Sequence, residues 1–167
     1  MQKESSKTEK KQQIAEKNAA FLLQKDSKKA KIILDTNFLI IPRSIGIDIL
    51  SEFDRLFGID CYELFMFERS EYELKRLLDT YRGKERQQVQ FALTFMAFLK
   101  KAKGLKILSS QSSKGSVYLD DLIVDFINKS RPEEYLVATV DKELTTRLQK
   151  TNNRIIAARK MKFLFIR

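Results

Sequence analysis

The chain has 167 residues and a formal net charge of +10, which allows one domain with a hydrophobic core and favours an anionic partner. It contains no histidine, which excludes mechanisms that need an imidazole base, nucleophile or metal ligand. A single cysteine excludes an internal disulfide and a thiolate metal cage, and it suits a reducing, cytoplasmic location. No apolar run approaches the roughly 20 residues of a membrane span, so we expect no membrane partner.

The first 30 residues are interpreted as a basic N-terminal extension. Residues 1–31 contain nine lysines and four acidic residues. Residues 1–10 have the composition of a disordered segment, and apolar residues at helical spacing predict a basic helix over residues 12–25. This helix either docks on the domain of residues 31–167 or binds phosphate groups.

From Lys31 onward, short apolar runs alternate with helical patterns, which predicts an α/β domain with a mainly parallel sheet of about five strands. The candidate strands are residues 31–34, 62–67, 105–109, 135–140, 154–157 and 162–166, the last being either the fifth strand or an extra edge. Apolar periodicity predicts helices over residues 44–56, 70–80, 84–103, 116–129 and 142–150. Ser70 with Glu73 is interpreted as a capping box, and Ser116 as a helix cap.

Two of the predicted strands end at an aspartate, Asp35 and Asp141. Because ligands of open α/β sheets bind beyond the carboxyl ends of the strands, we expect both carboxylates to line one crevice. Each has a purely structural alternative. Asp141 is well placed to cap the helix that follows it, and Asp35 to form an Asx turn.

A third acid is expected from the helix of residues 116–129. Asp120 borders the apolar stripe of this helix, whereas Asp121 points to the solvent side. In the helix of residues 70–80, spacing does not select among Glu68, Glu71 and Glu73. Converging carboxylates would raise one another's pKa unless a cation lies among them, and an all-oxygen site favours Mg²⁺ or Mn²⁺.

The sequence LDTNFLIIP at residues 34–42, followed by GIDIL at residues 46–50, resembles the opening motif of PIN-domain nucleases. It resembles the small archaeal PIN proteins related to the endonuclease of the small-subunit rRNA-processing machinery more than the toxin branch. The resemblance implies a PIN-like three-layer α/β/α sandwich over residues 31–167. It also implies site residues, which are the acids Asp35, Glu73, Asp120 (or Asp121 in its place) and Asp141 as metal ligands, with Asn37 and Thr139 in support.

The function that the resemblance implies is a Mg²⁺- or Mn²⁺-dependent endoribonuclease that leaves a 3′-hydroxyl and a 5′-phosphate. Its partner would be RNA, single-stranded or an rRNA precursor, with phosphates held by Arg43, Lys75 and Arg76. Dimerisation is common in this family, so a homodimer is also considered. The alternatives are an RNA-binding assembly or regulatory module, a ribonuclease toxin with a cognate inhibitor, and a receiver-like domain, which would need a second acid where Thr36 follows Asp35.

Overall fold

A computed structural model describes residues 29–109, 118–131, 134–159 and 163–167. The helix predicted over residues 12–25 and the cap predicted at Ser116 lie outside these ranges. Within the described residues the chain forms six helices. They are α1 Thr36–Ile45, α2 Ile49–Phe57, α3 Glu68–Thr80, α4 Gly83–Ala102, α5 Leu119–Lys129 and α6 Lys142–Gln149.

The sheet has six strands in the described part of the chain, in the order β3-β2-β1-β4-β5-β6. Their bounds are β1 Ala30–Leu34, β2 Tyr62–Phe67, β3 Lys106–Leu108, β4 Tyr135–Ala138, β5 Ile155–Arg159 and β6 Phe163–Ile166. Strands β1 to β5 pair in parallel, and β6 pairs antiparallel with β5. The predicted α/β class with a mainly parallel sheet is confirmed, and the last apolar run is the extra edge strand.

Alternation along the central strand β1 divides the core into two layers. Ile32 and Leu34 belong to a buried cluster with residues of α1, α2, α3 and α4. Ile33 belongs to a second cluster with residues of α5 and α6. Because successive side chains of a strand point to opposite faces, β1 is buried on both sides and the fold has three layers.

The prediction of a single helix that begins near Ser44 is wrong, because two helices occupy this region. Helix α1 begins directly after Asp35 and ends at Gly46, which adopts a left-handed φ of 72° that glycine tolerates best. Asp48 then caps α2, because its Oδ1 accepts hydrogen bonds from the backbone N–H groups of Leu50 at 3.1 Å and Ser51 at 3.2 Å. The glycine and the aspartate therefore separate one apolar stripe into two helices.

The capping box predicted at Ser70 and Glu73 is also wrong. Helix α3 begins at Glu68, with Phe67 at the N-cap position and no side-chain cap bond. Ser70 therefore lies inside the first turn, where it is fully buried. Glu73 is consequently not needed as a capping residue. None of the described helices is both long and apolar enough to cross a membrane.

Candidate active site

Asp35 lies at the carboxyl end of β1, between β2 and β4. Its backbone N–H donates to the carbonyl of Ala138 at 3.1 Å, which continues the β1–β4 pairing to the edge of the sheet. The side chain is only 1% exposed. It occupies the N-cap position of α1 but makes no side-chain cap bond to that helix. This carboxylate is thus held by tertiary structure, and its position is not explained by helix capping.

Thr139 is the main hydrogen-bond partner of Asp35. This fully buried threonine follows β4 and donates its hydroxyl to Asp35 Oδ2 at 2.8 Å. The same hydroxyl accepts a hydrogen bond from the backbone N–H of Asp141 at 3.0 Å. One threonine therefore joins the ends of the two central strands and fixes Asp35 relative to Asp141.

The pKa of Asp35 is raised to about 7, chiefly by burial and also by the negative charges of Asp120 and Glu73. The hydrogen bond from Thr139 opposes the rise, because it stabilises the ionised carboxylate. With no cation nearby, Asp35 therefore keeps its proton to a higher pH than an exposed aspartate does. Three carboxylates from different elements act on one another at this edge of the sheet.

Glu73 is held by a residue that the sequence did not single out. Thr36, which is 2% exposed at the start of α1, donates its hydroxyl to Glu73 Oε2 at 2.8 Å. The other candidates on α3 are placed differently. Glu68 is exposed, and Glu71 forms ion pairs with Lys100 at 2.6 Å and Lys75 at 2.8 Å. The geometry thus separates Glu73 from its neighbours. The hydroxyl of Thr36, directly after Asp35, was the signal in the sequence that could have pointed to a hydrogen-bond partner for an acid of the site.

Asp120 and Asp121 have different surroundings, as their helical positions predict. Burial raises the pKa of Asp120, and the charges of Asp141 and Glu73 raise it further, whereas Arg147 lowers it. Asp121 instead accepts a hydrogen bond from Arg147 Nη2 at 2.6 Å, in an ion pair that is partly open to solvent. Asp120 is therefore the member of the doublet that lies near the other acids.

Asp141 combines a capping position with proximity to Asp120. Its Oδ1 accepts hydrogen bonds from the backbone N–H groups of Glu143 at 2.7 Å and Leu144 at 3.0 Å, so the predicted cap of α6 is confirmed. Both cap bonds use Oδ1, which leaves Oδ2 for another partner. Asn37 lies in the first turn of α1 with an exposed side chain. Its supporting role stays a prediction.

In the ranges that the structure describes, no group of three or more His, Cys, Asp or Glu side chains is close enough together to hold a metal ion directly. The charges of Asp120 and Glu73 nevertheless raise the pKa of Asp35, and those of Asp141 and Glu73 raise the pKa of Asp120. Their donor atoms are all oxygen, which fits Mg²⁺ or Mn²⁺. We call this set of four acids the acidic crevice.

The basic residues expected around the acidic crevice are dispersed. Lys75 pairs with Glu71, and Arg76 is exposed on α3. Arg43 is seven residues beyond Thr36 along α1, which places it about 10 Å from the crevice end of that helix. It lines a different groove, together with residues of α4.

Comparison with known proteins shows the same fold and family. A family model described as a PIN like domain matches residues 32–161. The chain is 30% identical over 138 residues to Ribonuclease VapC4 of Methanocaldococcus jannaschii, covering 81% of this chain and 95% of that protein. A solved structure described as that of the PIN domain endonuclease Utp24 covers 82% of this chain and 89% of its own, at a TM-score of 0.60 and 24% identity. Most of the chain is thus matched, and the protein belongs to the PIN-like domain family.

Proposed function

We propose that the protein is a metal-dependent endoribonuclease that hydrolyses phosphodiester bonds in RNA. The observation that carries this proposal is Asp35, a buried carboxylate whose pKa is raised to about 7 by burial and by two further acids. A group with this environment at the carboxyl edge of a parallel sheet is a strong candidate for a functional site. Family membership and the similarity to a protein named as a ribonuclease support the same conclusion.

We assign the metal to the acidic crevice. Asp35, Glu73, Asp120 and Asp141 would hold Mg²⁺ or Mn²⁺, because their mutual repulsion is relieved when a dication is bound. Such an ion lowers the pKa of a water molecule and offsets negative charge on the reacting phosphate.

The other residues of the crevice would orient its ligands. Thr139 donates to Asp35 and thereby stabilises the ionised form that binds a cation. Thr36 holds Glu73 in the same way, by donating its hydroxyl to the carboxylate. Asn37 would contact the substrate or a water molecule. In the reaction, a water oxygen forms a new bond to phosphorus and the bond to the 3′ oxygen breaks, which yields a 3′-hydroxyl and a 5′-phosphate.

We also propose single-stranded RNA as the substrate and the cytoplasm as the location. The net charge of +10 and the basic extension of residues 1–30 suit an RNA partner, and the single cysteine suits a reducing compartment. Processing of an rRNA precursor is supported by the motif of residues 34–50, which resembles that of rRNA-processing relatives.

The experiment is cleavage of an unstructured RNA oligonucleotide by the full chain with Mn²⁺, with Mg²⁺, and with a chelator. Asp35→Asn keeps the size of the side chain and an acceptor for Thr139, so the variant is expected to fold and to lose cleavage. Asp125→Asn removes an exposed acid of α5 and is the matched control. Both variants are purified in parallel with the parent, so that a contaminating nuclease would appear equally in all three.

Cleavage that is equal in Asp35→Asn and the parent contradicts the proposed site. Cleavage that persists in the chelator contradicts the dependence on a metal. If the parent binds the RNA tightly but yields no metal-dependent product, the result favours an RNA-binding module over a nuclease.

A further inference from the structure

Helix α4 presents a second surface that the proposed reaction does not use. One side of this helix is buried against the core through Val89, Ala92, Met96 and Leu99. Another side lines a groove of about 420 Å³, together with Arg43 of α1. The α4 residues of this groove are Arg86, Gln87, Gln90, Phe91 and Thr94, which share one side because they are spaced by one and two helical turns. We call this surface the α4 groove.

An aromatic stack ends in the α4 groove. Phe91 and Phe95 are stacked with ring centroids 5.9 Å apart and planes within 16°. Phe95 and Phe98 continue the stack at 6.3 Å and 15°. Phe95 packs against the core, which fixes the stack, while Phe91 is half-buried at the groove. A planar aromatic group entering the groove would therefore meet a ring whose orientation is already set.

The charge around the α4 groove is positive. In the ranges that the structure describes, neither Arg43 nor Arg86 forms an ion pair with a carboxylate. Arg86 donates to the backbone carbonyl of Leu78 at 2.5 Å, which orients its guanidinium without neutralising it. The one acid of α4 is Glu85, which does not line the groove. The groove thus combines aromatic, amide and cationic groups, with no acid among the lining residues that belong to the described part of the chain.

We propose that the α4 groove binds a nucleotide of a single RNA strand, with its base stacked on Phe91 and its phosphates near Arg43 and Arg86. Every base has a π face that can stack on an aromatic ring, and the two arginines match the charge of the backbone. The amides of Gln87 and Gln90 supply donors and acceptors for the base edge. The inference rests on the proposed function, because the strand that occupies this groove would be the substrate of the acidic crevice.

The position of the α4 groove suits such an extended substrate. Arg43 and Thr36 lie at opposite ends of α1, about 10 Å apart along the helix axis. An RNA strand that spans this distance would contact the groove with one nucleotide while another of its phosphates lies at the acidic crevice. The groove would add affinity and fix the direction of the strand without taking part in the chemistry.

A second copy of the chain fits this surface less well. In a two-fold dimer the same patch faces itself, so Arg43 and Arg86 of both copies would approach one another with no acid to offset them. Surfaces that bind single strands combine cations with aromatic rings, and a strand's phosphates would offset the charge that a second copy would add to. Charge complementarity thus favours RNA.

The test is binding of a fluorescently labelled, unstructured RNA oligonucleotide to the full chain in a chelator, measured by fluorescence anisotropy at several salt concentrations. Phe91→Leu keeps an apolar side chain and is expected to weaken binding by about tenfold through the loss of stacking. Arg43→Gln is expected to reduce the slope of log K against log salt by about 0.7, the contribution of one phosphate contact on a single strand.

Lys129→Gln removes one exposed positive charge from α5, on the other face of the sheet, and is the matched control. Equal salt slopes for Arg43→Gln and Lys129→Gln, or unchanged affinity of Phe91→Leu, overturn the proposal. If Phe91→Leu does not fold, the slopes of the two charge variants decide alone. Sedimentation tests the alternative. If the parent is a dimer, and Phe91→Leu or Arg43→Gln dissociates it without changing RNA affinity, the groove serves self-association and the proposal is also overturned.

The readout separates this inference from the proposed nuclease. Binding in a chelator does not depend on cleavage. If the groove variants bind RNA like the parent while Mn²⁺-dependent cleavage is intact, only the proposal for the groove is rejected. If Phe91→Leu and Arg43→Gln weaken RNA binding as expected but the parent never cleaves RNA, only the proposed nuclease activity is rejected.

Discussion

The acidic crevice and the α4 groove differ in how the chain builds them. The acidic crevice collects like charges from β1, α3, α5 and the end of β4, and its central residue, Asp35, is 1% exposed. The α4 groove is formed largely by one helix, and its charged residues are exposed to solvent. Burial of repelling carboxylates costs free energy, whereas solvated arginines cost little. The like charges of the acidic crevice therefore favour a bound cation, as the proposed function requires, whereas the solvated arginines of the α4 groove favour an anion.

The largest effect is expected within the Asp120–Asp121 doublet. Asp120→Asn should lower the rate of Mn²⁺-dependent cleavage by about 100-fold or more, because it removes an acid of the crevice. Asp121→Asn should change it only a few-fold, because it breaks a partly exposed ion pair with Arg147. The measurement is the rate at saturating RNA and metal. A larger loss in Asp121→Asn would assign the ligand position to Asp121.

A second prediction concerns the stability of the metal-free protein as pH changes. The pKa of Asp35 is raised from 3.8 to about 7 by burial and nearby acids, so between these values the folded state binds more protons than the unfolded state. The contribution of Asp35 is therefore lost as pH rises from about 4 to about 7, by up to about 4 kcal/mol at 1.36 kcal/mol per pKa unit.

Urea unfolding in a chelator at pH 5 and pH 8 measures the larger part of this loss, about 3 kcal/mol. Asp35→Asn should remove most of the decrease, while Asp125→Asn should keep the profile of the parent. Added Mn²⁺ should stabilise the parent more at pH 8 than at pH 5, since protons compete for the same carboxylates. A parent that is equally stable at both pH values without metal would contradict the burial of an ionisable Asp35.

The sequence predicts those features of the two regions that depend on local pattern. The apolar run of residues 62–67 is a strand and Asp141 caps α6, as spacing implies, and Asp120 is the member of the doublet whose pKa is raised by burial. What the sequence does not predict depends on contacts between distant residues. Ser70 is fully buried within the first turn of α3, because the helix begins earlier, at Glu68.

The bond between Thr36 and Glu73 shows the same limit within the site. It joins residues 37 positions apart, so no local spacing could select Glu73 over Glu71. Only the packing of α3 beside α1 brings the two side chains together. The resemblance to a PIN motif supplied Glu73 by analogy, and its role as a ligand remains a prediction.

A third prediction tests this bond. Thr36→Val keeps the shape of a buried side chain but removes the hydroxyl, so it should lower the free energy of unfolding by about 1 kcal/mol. Cleavage should fall by roughly tenfold in kcat with little change in KM, because Glu73 loses its orientation but the RNA surface is unchanged. Thr80→Val is the control, since it removes a hydroxyl that bonds the Arg76 carbonyl at an exposed site. Equal activity in both variants would show that Glu73 needs no such support.

The smallest effect is expected from the α4 groove, and it should appear in KM. Arg43→Gln removes an exposed charge that pairs with no carboxylate in the described part of the chain, so the free energy of unfolding should stay within about 0.5 kcal/mol of the parent. At low salt the KM for RNA should rise a few-fold, because one phosphate contact is lost. As salt rises, the KM values of variant and parent should converge, since screening weakens the same contact in the parent.

Steady-state kinetics at two salt concentrations distinguish this pattern from that of a crevice variant, which lowers kcat at both. A fall in kcat without a change in KM would instead mean that Arg43 acts on the acidic crevice from the far end of α1, and the two regions would no longer be separable.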